Sequence, residues 1–244
     1  MMIYISIRLK LIIIHVKNII IYFLFQAKLP VLFYISGDLH TSISGPNGIS
    51  QGPGGGQGQG SGQENGHSNS FDANGPSGYL AATTNMIFIS FSYRLGPLGF
   101  LAVDIVSNDG PMACQGNNGV WDMITALEWV QNNIVHFGGD PNNVIVFGGS
   151  AAVQMGIVLL KNQQFDRLFS SLWWSFDGQN DNFNDLKFKT FNEVSRETRK
   201  SFLRRSNCST VDCLKKINSE DLIRLFYEEN RKSDSLIVVD GKPN

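Results

Sequence analysis

Gly138-Gly-Asp-Pro-Asn-Asn-Val-Ile-Val-Phe-Gly-Gly-Ser-Ala-Ala152 is an apolar strand that runs into a sharp turn and at once into a helical pattern. A serine on such a strand–turn–helix junction stands above the end of a sheet, and the next backbone N–H faces a reacting carbonyl. Ser150 is therefore the candidate nucleophile, and the N–H of Ala151 a candidate oxyanion donor. A serine hydroxyl is a weak nucleophile at neutral pH until an imidazole takes its proton. The histidines are His15, His40, His67 and His136, and all of them precede Ser150. In the order serine, acid, histidine that accompanies this kind of turn, the sequence as it stands predicts no ester turnover by a triad.

Outward from the turn, strands and helices alternate. Leu29–Ile35 reads as a buried strand, a short apolar run bounded by Ser36-Gly37. Met86–Tyr93 reads as a second strand, closed by Arg94-Leu-Gly-Pro-Leu-Gly-Phe100. Val120, Met123, Ile124, Leu127, Val130 and Ile134 recur at three- and four-residue spacing and predict a helix over 120–134. Gly138 and Gly139 stop it, Asn143–Phe147 is the strand into the turn, and Ala151–Leu160 is the helix after it. Such alternation predicts an α/β domain with a mostly parallel sheet and helical crossovers. Beyond about residue 179 the pattern is helical and polar. Asn218 or Ser219 is placed to cap a helix carrying Leu222, Ile223, Leu225 and Phe226, and Ser235–Val239 is a short extended run.

The remaining stretches set limits. Residues 45–70 are dominated by Gly, Gln, Ser and Asn, a flexible surface insertion with no Gly-Lys-Ser/Thr ending to cradle a phosphate. Residues 1–28 are apolar but interrupted by Arg8, Lys10, His15 and Lys17, so no uncharged run approaches the length of a transmembrane helix. A signal peptide would have Lys17 inside its apolar part and no small-residue cleavage site. The segment reads best as non-coding sequence joined to the domain by a faulty gene model, with residues 29–244 forming the domain. A balance of 20 basic against 21 acidic residues excludes a nucleic-acid footprint. Neither a metal nor a cofactor is expected, since Cys114 has no ligand spacing around it. Cys208 and Cys213 are near enough in sequence to close a small loop, leaving Cys114 over. Asn207-Cys208-Ser209 is an N-glycosylation triplet. Triplet and cysteine pair together lean toward a secreted or cell-surface protein.

Ser92-Tyr-Arg-Leu-Gly-Pro-Leu-Gly-Phe100, Gly116-Asn-Asn-Gly-Val-Trp-Asp122, Ala126-Leu-Glu-Trp-Val-Gln-Asn-Asn133 and Phe137-Gly-Gly-Asp-Pro-Asn-Asn143 follow one another in the order of a known family. The chain resembles the type B carboxylesterases and cholinesterases, continuously from about Tyr79 to Ala152. The likeness is fainter over Leu29–Gly45, Cys208–Ile223 and Val238–Gly241. The resemblance implies part of an α/β-hydrolase fold, shortened at both ends relative to the family, and a Cys208–Cys213 disulfide. It implies a structural role for Arg94, Asp122 and Asp140 at strand ends, and it puts Gly37 in the oxyanion strand.

The departures gather where the chemistry would be. The family's His-Gly-Gly run is Ser36-Gly-Asp-Leu39 here, its acid before the serine is Gly149, and the glycine that ends its turn is Ala152. Asp38 would repel a developing oxyanion, and losing one oxyanion donor costs about 10²–10³ in rate. The family also contains adhesion proteins of the neuroligin and neurotactin kind, which use the fold as a binding surface. The expected function is thus a catalytically inactive, cholinesterase-like domain with an extracellular protein partner. The alternative is a carboxylic ester hydrolase, acting on a small ester through an acyl-enzyme at Ser150. Trp173 and Trp174 are expected to fill a core or rim.

Overall fold

The computed structural model describes residues 3–6, 28–36, 71–72, 75–76, 81, 83–106, 114–149, 152–175, 188–230 and 237–239. The Gly-rich insertion lies outside them, apart from two short paired strands at its far end. The chain forms two compact units. One takes Met1–Asp38, Ser42–Ser92 and Met123–Asp177; the other takes Leu39–Thr41, Tyr93–Asp122 and Gly178–Asn244.

In chain order the strands of the first unit are β1 (Ile3–Ser6), β2 (Leu29–Ile35), β3 (Phe71–Asp72), β4 (Gly75–Pro76), β5 (Ile87–Phe91), β6 (Gly139–Gly149) and β7 (Ser171–Ser175). β3 and β4 pair only with each other; the rest form one sheet in the order β1-β5-β2-β6-β7. β5, β2, β6 and β7 run parallel, while β1 joins the edge antiparallel, Ile3 opposite Phe91. A parallel sheet is buried on both faces, so its strands read as continuous apolar runs rather than alternating ones. β2, Leu-Pro-Val-Leu-Phe-Tyr-Ile, is such a run.

One face of this sheet carries Val31, Phe33, Ile35, Ile87, Ile89, Val144 and Val146, all fully buried. Phe33 stacks on Phe91 with ring centroids 4.8 Å apart. Helix Asn118–Asn133 delivers Met123, Ala126, Leu127 and Val130, also fully buried, so its expected apolar stripe is the one that points inward. A single turn, Ile134–Phe137, continues it and ends at Gly138, whose φ of 81° suits glycine. Ile134, Ile87 and Val31 close round Gly139, where an added methyl would meet all three within about 3 Å.

Several boundaries differ from the pattern-based reading. β6 begins at Gly139 rather than Asn143, because a bulge between Leu29 and Val31 of β2 lets Gly139 pair with Leu29. Asp140 accepts from the Asn142 N–H at 2.9 Å and shapes that irregular stretch. The helix after the turn is Ala152–Lys161. Among the described residues of the run at 235–239, Val238–Val239 form a strand. Strand β7 has no counterpart in that reading.

In the second unit, β8 (Lys189–Thr190) and β9 (Val238–Val239) pair in parallel. A helical run follows from Phe191 to Ser206, with a π turn at Arg199–Leu203. Thr190 and Glu193 form a capping box at its start. Asn218 is the cap of helix Ser219–Asn230, its side chain accepting from the Glu220 N–H at 2.9 Å. Cys208 and Cys213 are joined in a disulfide.

Candidate functional site

β6 ends at Gly149 and the next helix starts at Ala152, with two residues between them. Those two, Ser150 and Ala151, lie outside the described residues, as do Gly37, Asp38 and Leu39. The strand before them, the helix after them and the end of β2 are described. β2 pairs with β6 up to Ile35 opposite Gly148, which sets Ser36 level with Gly149. The two segments expected to supply the nucleophile and the oxyanion donors therefore leave adjacent parallel strands at the same end of the sheet.

The turn rests on a tight three-body contact. A Cβ added at Gly148 would lie 2.9 Å from the Ala152 Cβ, 2.9 Å from Trp174 Cζ3 and 3.2 Å from the Ile35 carbonyl oxygen. Ala152 is fully buried, and its methyl occupies the space that Gly148 leaves. On the same helix a Cβ at Gly156 would fall 1.6 Å from Trp174 Cζ2. The Trp174 indole thus lies in a slot floored by two glycines. Its Nε1 is buried and has no hydrogen-bond partner among the described residues. The Trp174 ring is partly buried against those two glycine backbones. Trp173 points the other way and is 64 % exposed. On that face Tyr34, Phe147 and Trp173 form a cross-strand row, with centroids 5.8 Å and 5.6 Å apart.

His136 stands at the far end of β6 from the turn. A strand of that length spans roughly 30 Å, so this imidazole cannot reach Ser150. His15, His40 and His67 lie outside the described residues. Among the described residues, no cluster of His, Cys, Asp or Glu is suited to a metal ion.

Two of the matched motifs, those of Arg94 and of Asp122, build structure in the second unit. Asp122 accepts from the Arg94 backbone N–H at 2.9 Å, from Nε at 2.8 Å and from Nη2 at 2.8 Å. The hydrogen bond to that carboxylate holds the guanidinium pKa above its ordinary value, against the smaller opposing effect of burial. Around this pair, an added Cβ would strike the Arg94 carbonyl oxygen at 2.0 Å from Gly99 and at 2.7 Å from Gly119. Asn117 was not singled out from the sequence. Its side-chain amide donates to the Val238 carbonyl at 2.7 Å and accepts from the Val238 N–H at 3.0 Å, standing in for a strand. Its φ of 56° was a hidden signal, since asparagine tolerates that left-handed region better than most residues.

A family model described as Carboxylesterase family matches residues 54–242. Among curated proteins, neurotactin of Drosophila melanogaster is 30% identical over 147 residues, 60% of this chain and 17% of its own. Neuroligin-2 of Mus musculus is 31% identical over 162 residues, 65% of this chain and 18% of its own. Fumonisin B1 esterase of Sphingopyxis macrogoltabida is 48% identical over 83 residues, 34% of this chain and 15% of its own. Among solved structures, a thermophilic pNB esterase superposes with a TM-score of 0.57 at 26% identity, covering 86% of this chain and 36% of that one. The chain thus spans less than a fifth of these curated relatives and about a third of that structure.

Proposed function

We propose, from the premise that this chain belongs to the carboxylesterase family, that it is a cholinesterase-like domain used for extracellular recognition or adhesion rather than ester hydrolysis. The observation that carries this reading is the register of β2 against β6. Ile35 lies opposite Gly148, so β2 and β6 end side by side, and the family resemblance puts the oxyanion donors in the residues that follow Ser36. There the chain has Gly37, Asp38 and Leu39. Asp38 brings a negative charge to a place that catalysis needs electropositive, and neither Asp38 nor Leu39 takes a positive-φ turn as easily as glycine. Support also comes from the neurotactin and neuroligin-2 alignments, which reach over 60% and 65% of the chain. The partner is accordingly a protein at a cell surface or in the extracellular space.

The test is an active-site titration. The full-length protein is treated with an organophosphonate under conditions that fully label a related esterase, and the Ser150 peptide is weighed. No adduct is expected; stoichiometric labelling of Ser150 would overturn the reading. One observation favours the second reading, an ester hydrolase acting through an acyl-enzyme at Ser150. β6 ends at Gly149, the helix starts at Ala152, and the Ala152 methyl is accommodated beside Gly148.

A further inference from the structure

We propose that Asn207 is an N-glycosylation acceptor whose use is decided by a race with the Cys208–Cys213 disulfide. The sugar is attached only to chains in which that bridge has not yet closed. The inference rests on the extracellular reading above, and its test is arranged to fail separately from it.

The acceptor triplet is Asn207, Cys208 and Ser209, and its middle residue is half of the disulfide. In the folded chain Asn207 is exposed, at the left-handed end of the helical run, with φ 53°. Ser209 is exposed as well. Cys208 between them is only 6% exposed. The rest of the loop is pinned. Thr210 accepts from the Cys213 N–H at 3.2 Å, Thr210 bridges to Val106, and the Val211 N–H donates to the Val106 carbonyl at 3.0 Å. A glycosyl transferase reads the asparagine and the hydroxyl two residues on as a unit. With the middle residue buried and cross-linked, that unit cannot be lifted into an enzyme groove. The triplet is accessible only while Cys208 and Cys213 are both thiols.

The two reactions that compete each balance. In glycosylation, Nδ2 of Asn207 forms a bond to C1 of an oligosaccharide carried on a polyprenyl diphosphate. The C1–O bond breaks, the diphosphate leaves with the electron pair, and one Nδ2 proton passes to a base of the transferase. In bridge formation, the two thiols give up two protons and two electrons to the disulfide of an oxidoreductase, which becomes a dithiol. Disulfide formation takes seconds to hours, so neither reaction need win outright on a chain still being made.

The full chain is expressed in cultured eukaryotic cells behind an appended cleavable signal peptide, and the fraction of molecules shifted on a gel by a peptide N-glycosidase is read. The unaltered chain is expected to give a mixture of shifted and unshifted molecules. Cys213→Ser, which leaves the triplet whole, moves the mixture toward complete modification. Asn207→Gln abolishes the shift in both backgrounds. Equal occupancy with and without Cys213, whether complete, partial or zero, overturns the proposal. Modification occurs on the emerging chain, so a Cys213→Ser variant that fails to fold still reports. The appended peptide fixes the compartment, so zero occupancy in both forms refutes the acceptor site and leaves the adhesion reading standing.

Discussion

Gly156→Ala is the most demanding test of how the turn is built. In an exposed helix this change stabilises by about 1 kcal/mol, because alanine has the higher propensity and glycine loses more backbone freedom on folding. Here the new methyl would be centred 1.6 Å from a ring carbon of Trp174. On its other side the indole is already in close approach to Gly148, with Cζ3 2.9 Å from where a Cβ would sit on that residue. Overpacking of this kind costs about 1–3 kcal/mol, and a rigid aromatic held between two backbones belongs at the upper end. The clash should outweigh the propensity gain, giving a net loss of about 1–2 kcal/mol. In a chain of this size that is a fall in Tm of roughly 2–8 °C, read by circular dichroism so that the tryptophans are not also the probe. Trp174→Leu alone should cost more, since it empties the slot. In that background Gly156→Ala should turn neutral or stabilising, leaving a coupling energy of about 1–3 kcal/mol between the sites. If Gly156→Ala raises Tm in the unaltered chain, the indole is not in the slot and the description of the turn is wrong.

Asp122→Asn keeps the shape of the Arg94 knot but replaces an ionised acceptor of three hydrogen bonds by a neutral one. Because the Arg94 side chain is half exposed, the expected loss is about 1–2 kcal/mol, seen as a lower urea midpoint at unchanged slope. Glu193 accepts from the Thr190 N–H and Oγ1, both at 2.8 Å, and these bonds hold its carboxyl below its ordinary pKa of about 4.5. A depressed carboxyl contributes stability that is fully present above the ordinary value and is lost as pH falls through the folded one. The Thr190 amide resonance should therefore move as pH is lowered below 4.5, while Glu193→Gln, which keeps the cap, should abolish that movement. Ala152→Gly should leave organophosphonate labelling of Ser150 unchanged while lowering Tm slightly, because it empties a buried methyl site; labelling that appears only in this variant would show that the methyl blocks the turn.

The order of elements around the turn was legible because each has a local cause. The stripe from Val120 to Ile134 has helical spacing, β2 is a continuous apolar run, β5 is apolar but for Ser90, and Gly138 marks a stop. What escaped was non-local. β7 is Ser-Leu-Trp-Trp-Ser, a short edge strand whose two tryptophans face opposite sides of the sheet. Its place is set by Gly148 and Gly156, neither of which is its neighbour in sequence. Gly156 inside an apolar helix was the available signal, since a glycine there costs stability unless something packs against its backbone. The pairing of Asn117 with Val238 bridges 121 positions and has no sequence pattern at all. The disulfide, in contrast, came with the family resemblance and is formed. The nucleophile and oxyanion residues themselves fall outside the described residues, and only the strands that aim them are on view.

Those strands allow the departures from the family pattern to be weighed separately. Ala152 looked like damage in the sequence, because a methyl replaces the glycine that lets helix and strand approach. In the fold its methyl is complemented by Gly148, so it bears on packing. Asp38 is different in kind. Two positions earlier the chain is level with the turn, and no packing adjustment removes a charge. If the resemblance sets its carboxylate within about 5 Å of a developing oxyanion, the opposition at an effective dielectric of about 20 is about 3 kcal/mol. That is about 10²-fold in rate, comparable to losing an oxyanion donor outright. Adhesion through the same surface has no such requirement, since a fixed negative charge beside a partner is compatible with binding and can set its specificity. The residue that most separates the two readings is therefore Asp38, not the serine itself.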